Sequence, residues 1–310
     1  MTIDLTDTTT AAIDHALTEA RRRLGGMTTG MVLTLIIVTD EEGQYDAIRA
    51  ANQAAREHPM RILAAITRRA KADSRLDAEI RVGEASPGET IVLRMYGPLG
   101  QHADSVAAPL LVPDVPVVTW WPESAPAVPA AHPLGLLAQR RVTDSAAAED
   151  PQQVLADLAR AYRPGDTDFG WTRATPWRTL LAATLDQPHP RLEGGEVQAE
   201  QDNPTADLVA AWLGLRLAIP VTRTVSSGPG LTGVTFATAE GDITISRHDG
   251  RTATLAWPGR PDRMVALHRR ETAELLAEEL RRLDPDEVYA ETLSRLGEEA
   301  ESGELATATS

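Results

Sequence analysis

Three glycines, Gly228, Gly230 and Gly233, have the G-x-G-x-x-G spacing that holds the pyrophosphate of a dinucleotide in many α/β enzymes. That motif works where a strand turns into a helix, because the N–H groups at the start of the helix bind the phosphates. Here the alternating stretch 234–238 follows and predicts a strand, and Pro229 lacks one of the N–H groups. The sequence therefore predicts a hairpin loop that binds neither NAD nor NADP.

The other polar clusters lack the spacing that catalysis or metal binding requires. His102, Asp104 and Ser105 are close in sequence, but on a helix Asp104 points away from the other two, and the chain has no G-x-S-x-G elbow. The seven histidines form no H-x-x-x-H pair, and the chain contains no cysteine. We therefore predict no catalytic residue, no metal site and no cofactor, and we predict that the protein is not an enzyme.

Tryptophan makes up six of the twelve aromatic residues, and it is often used at cores and interfaces. Trp120 and Trp121 end a strand in which consecutive side chains point to opposite faces, so we expect one in the core and one directed outward. Three roles stay open: packing within the chain, contact with a partner protein, and a platform for a sugar formed by Trp120 or Trp121. Because Trp and Arg dominate interface hot spots, the candidate partner contacts are Trp120, Trp121, Trp171, Arg173, Trp177 and Arg178.

Residues 1–165 predict an α/β domain with a mixed sheet. The strand 32–38, the helix after Asp40 and the strand 62–66 have the short connections of a parallel crossover unit. Alternation at 78–82 and the run 91–96 predict an antiparallel hairpin that joins this sheet. The turn cluster at 163–166 follows a completed helix, so we place the domain boundary near residue 165.

Residues 166–296 predict an α+β domain. It opens with a helix that has Thr175 at its N-cap and Pro176 at its first position, followed by a polar loop over 187–203. Short runs at 221–226, 233–238, 243–247 and 252–257 predict an antiparallel meander. Two acidic helices follow, and residues 297–310 are expected to form a disordered acidic tail.

Composition narrows the class of protein further. A length of 310 residues favours two domains, and a net charge of −15 repels nucleic acids and anionic membranes. No stretch predicts a membrane span, and the amino terminus lacks the basic and apolar segments of a signal peptide. We therefore expect a cytoplasmic protein that binds neither nucleic acid nor membrane.

Several unusual strings occur together in this chain and resemble the glucose-6-phosphate dehydrogenase assembly protein family, OpcA. They are HPMR at 58–61, YGPL at 96–99, HADSV at 102–106, PLLVPDVPVV at 109–118, WWP at 120–122, RRVTD at 140–144 and WTRATPWR at 171–178. The resemblance covers nearly the whole chain. It implies a non-catalytic partner that binds glucose-6-phosphate dehydrogenase and promotes its active oligomeric state in the oxidative pentose phosphate pathway.

The chain departs from this family in one respect. In photosynthetic relatives the family is associated with thiol redox control, which a chain without cysteine is not expected to use. The residues by themselves also leave open a phosphosugar- or glycan-binding module, or an inactive relative of a phosphosugar enzyme. They do not identify a small-molecule effector.

Overall fold

The computed structural model describes residues 1–24, 30–68, 73–83 and 88–302. The first elements in chain order are β1 (Thr2–Leu5), α1 (Thr10–Arg23), β2 (Leu33–Thr39), α2 (Gln44–Ala54), β3 (Met60–Arg68), β4 (Arg75–Val82), β5 (Glu89–Tyr96), α3 (Ala103–Ala107), β6 (Val117–Trp121), α4 (Pro133–Leu136) and β7 (Arg140–Thr143). The remaining elements are α5 (Pro151–Ala161), β8 (Asp166–Asp168), α6 (Phe169–Leu185), β9 (Leu192–Ala199), α7 (Pro204–Leu217), β10 (Val221–Val225), β11 (Leu231–Thr238), β12 (Ile243–Ser246), β13 (Thr252–Ala256), β14 (Arg263–Ala266), α8 (Thr272–Arg281) and α9 (Glu287–Ser302).

The chain folds into two compact units that interleave along the sequence. The first unit contains Met1–Asp144, Arg163–Thr167 and Glu271–Pro285, and the second contains Ser145–Tyr162, Asp168–Arg270 and the chain from Asp286 onward. Helix α8 therefore belongs to the first unit, where it packs against α2. The division near residue 165 into contiguous folding domains stays a prediction.

An eight-stranded mixed sheet forms the centre of the first unit, with strand order β1-β4-β5-β3-β2-β6-β7-β8. Strands β5, β3, β2, β6 and β7 pair in parallel, while β1 and β4 pair antiparallel at one side. Strand β2 reads LTLIIVT and is buried along nearly its whole length, as expected for a strand covered on both faces. The predicted α/β class and the β4–β5 hairpin are confirmed, and β1 is an additional strand that the sequence did not predict.

Buried ion pairs tie the first unit together. Glu89 at the start of β5 accepts hydrogen bonds from Arg21 (2.5 Å from Nε to Oε1) and Arg61 (3.0 Å from Nε to Oε2). Arg140 donates to Glu279 of α8 at 2.6 Å, and both side chains are 6% exposed. Because a carboxylate or guanidinium buried without its partner is costly, these pairs fix the register of α1 and α8 against the sheet.

A six-stranded sheet, in the order β10-β9-β11-β12-β13-β14, forms the centre of the second unit. The run from β11 to β14 is the predicted antiparallel meander, which confirms the α+β class. Strand β10, however, pairs in parallel with β9 on the far side from β11. The predicted polar loop over 187–203 is wrong, because residues 192–199 form β9 and supply the backbone that both β10 and β11 need.

Helix α6 begins earlier than the sequence predicted. Asp168 is its N-cap and accepts the Gly170 N–H at 2.8 Å, so Pro176 lies inside the helix and the cap assigned to Thr175 is wrong. The side chains at 169–172 are buried, and their packing outweighs the hydrogen bond that a proline removes from a helix interior.

The carboxyl-terminal helix is also longer than predicted. Helix α9 continues through Ser302, so the expectation of a disordered tail is wrong for residues 297–302. The rest of that predicted tail, 303–310, lies outside the described residues. No helix in the described ranges is long and apolar enough to cross a membrane.

Candidate functional site

The two adjacent tryptophans of β6 both lie in the core of the first unit. Trp120 is 0% exposed and Trp121 is 1% exposed, so the expectation that one of them points outward is wrong. Strand β6 runs between β2 and β7 in the parallel part of the sheet, where both faces are covered. Trp121 meets the ring of His132 edge-on, with centroids 5.4 Å apart. Neither indole offers a planar face to a sugar.

The tryptophans of α6 are buried in the second unit. Trp171 donates from Nε1 to Oδ2 of Asp286 at 2.8 Å, and the guanidinium of Arg178 lies 3.6 Å above its ring. Trp177 is 2% exposed, and its cation partner is Arg247, 5.0 Å from the ring centroid. Both indoles therefore serve the core, and the cation facing Trp177 comes from a segment distant in sequence.

Of the six candidate partner contacts, only the two arginines reach solvent, and both are partly buried. Arg173 lies 5.9 Å from the ring of Phe169, and Arg178 donates to Oγ1 of Thr175 at 3.1 Å. A direct contact with a partner is therefore geometrically open to Arg173 and to one side of Arg178. The assignment of all six to a partner interface stays a prediction.

Arg247 is a buried cation that the sequence analysis did not single out. Its terminal nitrogens donate to the carbonyl oxygens of Leu267 (2.9 Å) and Leu231 (2.8 Å). Burial, together with the neighbouring charge of Arg269, lowers its pKa to about 10. It joins the ends of two strands and packs on Trp177, which is a structural role.

The carboxyl ends of β2 and β6 form the position where a ligand would bind in a sheet of this type. The chain leaves β2 toward β3 on one side and returns to β6 on the other, so the connections diverge at this edge. Asp40 follows β2 and accepts the N–H groups of Glu42 (2.9 Å) and Gly43 (2.8 Å) at the start of α2. The donors that would bind a phosphate are thus taken by the chain's own carboxylate.

A second carboxylate occupies the same place. The side chain of Glu123, which follows β6, lies so close to Gly43 that a Cβ on that glycine would collide with it. Partial burial raises the pKa of Glu123, and the negative charges of Asp40, Glu42 and Asp46 raise it further. Four acids at the switch point make it repel phosphate, so these residues do not fit a dinucleotide.

The glycine-rich loop of the second unit leads into a strand, as predicted. Residues 231–238 form β11, and the peptide bond between Gly228 and Pro229 is cis. The loop does not close a hairpin, because β10 and β11 lie on opposite sides of β9. A Cβ on Gly228 would collide with the side chain of Glu200, so a carboxylate again stands beside the motif.

The remaining polar clusters have structural contacts. Ser105 donates its hydroxyl to the carbonyl oxygen of His102 at 2.7 Å, so this hydroxyl is not paired with the imidazole. Within the described residues, no three His, Asp or Glu side chains form a group that could hold a metal ion.

The second sheet has one packed face and one face that is open to solvent. Val234, Phe236, Ile243 and Ile245 point into the core of the unit. The side chains that alternate with them are exposed or partly exposed, apart from Gly233, which Gln198 covers. We call this set the open face: Gly194, Glu196, Gln198, Thr222, Thr224, Gly233, Thr235, Ala237, Thr244, Ser246, Thr252, Thr254, Ala256, Met264 and Ala266.

The register aligns the open face into rows across the sheet. One row is Thr222, Glu196, Thr235, Thr244 and Ala256, and the next is Thr224, Gln198, Gly233, Ser246, Thr254 and Met264. Seven of the fifteen members carry a hydroxyl and one is charged. Sequence analysis missed this surface, although threonine or serine at every second position, as in 222–224, 244–246 and 252–254, is a readable signal.

Comparison with known proteins identifies the family. Residues 51–160 match the N-terminal domain of the glucose-6-phosphate dehydrogenase subunit, and residues 164–293 match its C-terminal domain. The chain belongs to the glucose-6-phosphate dehydrogenase assembly protein family, OpcA. A curated member from Synechocystis sp., named as the OxPP cycle protein OpcA, is 29% identical over 117 residues. That match spans 35% of this chain and 24% of the relative.

Solved structures resemble this member of the family more distantly. KijD10, a 3-ketoreductase from Actinomadura kijaniata, aligns with a TM-score of 0.48 and 13% identity over 87% of this chain and 96% of its own. An oxidoreductase from Sinorhizobium meliloti aligns with a TM-score of 0.42 and 12% identity over 86% of this chain and 87% of its own.

Proposed function

We propose that this protein binds glucose-6-phosphate dehydrogenase and promotes the active oligomeric state of that enzyme, without performing chemistry itself. The observation that carries the proposal is the match of two successive segments to the N- and C-terminal domains of the OpcA family. An activator of this kind acts by binding the active state more tightly, by about 1.4 kcal/mol for each tenfold shift in population.

The site geometry supports a binding role over a catalytic one. The switch point of the first sheet carries Asp40 and Glu123 where a cofactor phosphate would lie, and the glycine-rich loop carries Glu200. These positions would have to lose their carboxylates before a nucleotide could enter. We place the protein in the cytoplasm with its proposed partner enzyme.

We further propose Arg173 and the exposed side of Arg178 as contacts for the dehydrogenase. The four tryptophans that were candidates with them would act indirectly, by holding α6 and β6 in place. Trp171 supports the guanidinium of Arg178 from below, which keeps that cation in one orientation.

The test mixes the purified protein with the dehydrogenase of the same organism and measures complex formation by size-exclusion chromatography with light scattering, and the rate by NADPH production. We expect co-elution, a larger dehydrogenase oligomer and a higher rate. Arg173→Ala should weaken the half-maximal activating concentration by about 30-fold, as for a hot-spot arginine.

Arg49→Ala is the matched control, since Arg49 is an exposed helical arginine of the first unit that pairs with Asp46 on its own helix. It should activate like the wild type. If the wild-type protein neither co-elutes with the dehydrogenase nor changes its rate at any substrate concentration, the proposed function is wrong.

A further inference from the structure

The open face of the six-stranded sheet lacks the charges that solvent-facing strands usually carry. Its fifteen members include one acid, Glu196, in a chain whose net charge is −15. That acid is satisfied within the sheet, since it accepts from the hydroxyl of Thr224 (2.5 Å) and the amide of Gln198 (3.2 Å). Charged side chains on exposed strands prevent sheets from associating, and this face carries a single one.

From this composition we infer that the open face is an interface for a second copy of this chain, packed face to face about a two-fold axis. In such a dimer each side chain near the axis meets the same surface of the other copy. Hydroxyl groups suit that arrangement, because each one both donates and accepts a hydrogen bond, whereas a carboxylate opposite a carboxylate cannot be paired.

Charge favours a second copy over a partner of different composition. Two chains that each carry −15 repel each other over most of their surfaces, so they can approach closely only where acids are scarce. A partner of opposite charge would instead be recognised by acids on the interface, and the open face provides one. The nearly neutral face is the surface that a copy of the same chain requires.

The dimensions are suitable for a dimer core. Six strands about 4.8 Å apart and four rows about 6.8 Å apart make a face of roughly 500 Å² in projection. A standard interface buries about 800 Å² on each partner, so the face supplies more than half of that area before the side-chain relief is counted. Sheets packed in this way lie about 10 Å apart.

The main experiment measures the molar mass of the purified full chain by sedimentation equilibrium. We expect a dimer for the wild type, and Thr244→Glu on central strand β12 should weaken dimerisation by more than about 100-fold through like-charge contact. Thr2→Glu is the matched control, since Thr2 is an exposed strand residue of the first unit. It should leave the dimer unchanged.

A second measurement does not depend on the folding of the Thr244→Glu variant. Because the chain has no cysteine, Thr244→Cys introduces one thiol at the centre of the face, and oxidation should produce a disulfide-linked dimer. Thr2→Cys should remain largely uncrosslinked. Raising the salt concentration should tighten the dimer, since it screens the repulsion between two acidic chains.

Three results would overturn the inference. They are a wild-type monomer at about 100 μM, a dimer that Thr244→Glu leaves intact, or a dimer that salt dissociates. None of these measurements involves the dehydrogenase, so the inference stands or falls independently of the proposed function.

Discussion

At the scale of single residues, the tryptophans and buried ion pairs of this chain serve its stability. Trp177 packs under Arg247 and Trp171 under Arg178, and both indoles belong to the hydrophobic core of the second unit. A core residue and an interface residue differ in what their removal changes. Their truncations therefore separate the two roles.

We expect Trp177→Ala to lower the free energy of unfolding by about 3–5 kcal/mol, because it leaves a large cavity in the core. Arg178→Ala should cost only about 0.5–2 kcal/mol, the range for a cation over an aromatic ring. Urea denaturation of the variants measures both. If Trp177→Ala kept the wild-type unfolding midpoint yet lost activation of the dehydrogenase, Trp177 would be an interface residue.

Glu89 gives the chain a specific response to acid. Its burial opposes ionisation, but hydrogen bonds from Arg21 and the charge of Arg61 outweigh burial and hold its pKa below the ordinary value of 4.5. Because the folded pKa is the lower one, this stabilisation is complete above that ordinary value and is lost as the pH falls through the folded pKa.

The variant Glu89→Gln should therefore lose about 3–5 kcal/mol at pH 7, since it leaves two arginines without their carboxylate. The difference from the wild type should shrink as the pH is lowered below 4.5. Glu291→Gln, which breaks an exposed pair with Arg216, serves as the control and should stay near the wild type. A pH-independent difference for Glu89→Gln would contradict the assigned cause.

At the scale of elements, one buried carboxylate decides where α6 begins. Asp168 is 0% exposed and accepts from the N–H of Gly170 and from both the N–H and the hydroxyl of Ser145, each at 2.8 Å. This cap, and the packing of residues 169–172, extends the helix ahead of Pro176. Local sequence favoured the later start because Pro is common at the first helical position.

We expect Asp168→Ala to lower the free energy of unfolding by about 3 kcal/mol or more, because it leaves three buried donors unsatisfied. Asp150→Ala provides the comparison, since Asp150 is an exposed N-cap of α5 that accepts one N–H, from Gln153. That change should cost about 1 kcal/mol. Equal losses for the two variants in thermal or urea unfolding would argue against the assigned role of Asp168.

At the scale of the whole molecule, the fold provides the positions at which related architectures bind ligands, and the chain fills them with acids. The edge of the first sheet carries Asp40, Glu42 and Glu123, and the glycine-rich loop of the second unit lies against Glu200. The surface that is poor in charge is instead the open face. Interaction with proteins is therefore the activity that the molecule as a whole supports best.

NADP should leave the melting temperature of this protein unchanged at millimolar concentration, because acids replace the groups that would bind its phosphates. A nucleotide present at 100 times its Kd would stabilise the folded state by about 2.7 kcal/mol, which calorimetry detects easily. The dehydrogenase, measured in parallel, is the positive control. A rise of several degrees for this protein would show that a nucleotide site exists.

Local pattern by itself determined much of this protein. The apolar run of β2, the crossover to β3 and the alternation in β4 and β5 predicted the first sheet, because the period of a strand is set by neighbouring residues. The strings around the two tryptophans of β6 were enough to indicate the family. The absence of catalytic spacing directed attention to binding surfaces.

Tertiary structure alone decided the burial of both β6 tryptophans, the pairing of Trp177 with Arg247, and the place of β9 between β10 and β11. It also assembled the open face from five strands that follow one another in the chain and one, β9, that returns beside β10. Register between strands and cover from helices depend on residues far apart in sequence. A local period cannot carry that information, since the same alternation fits either face of a sheet.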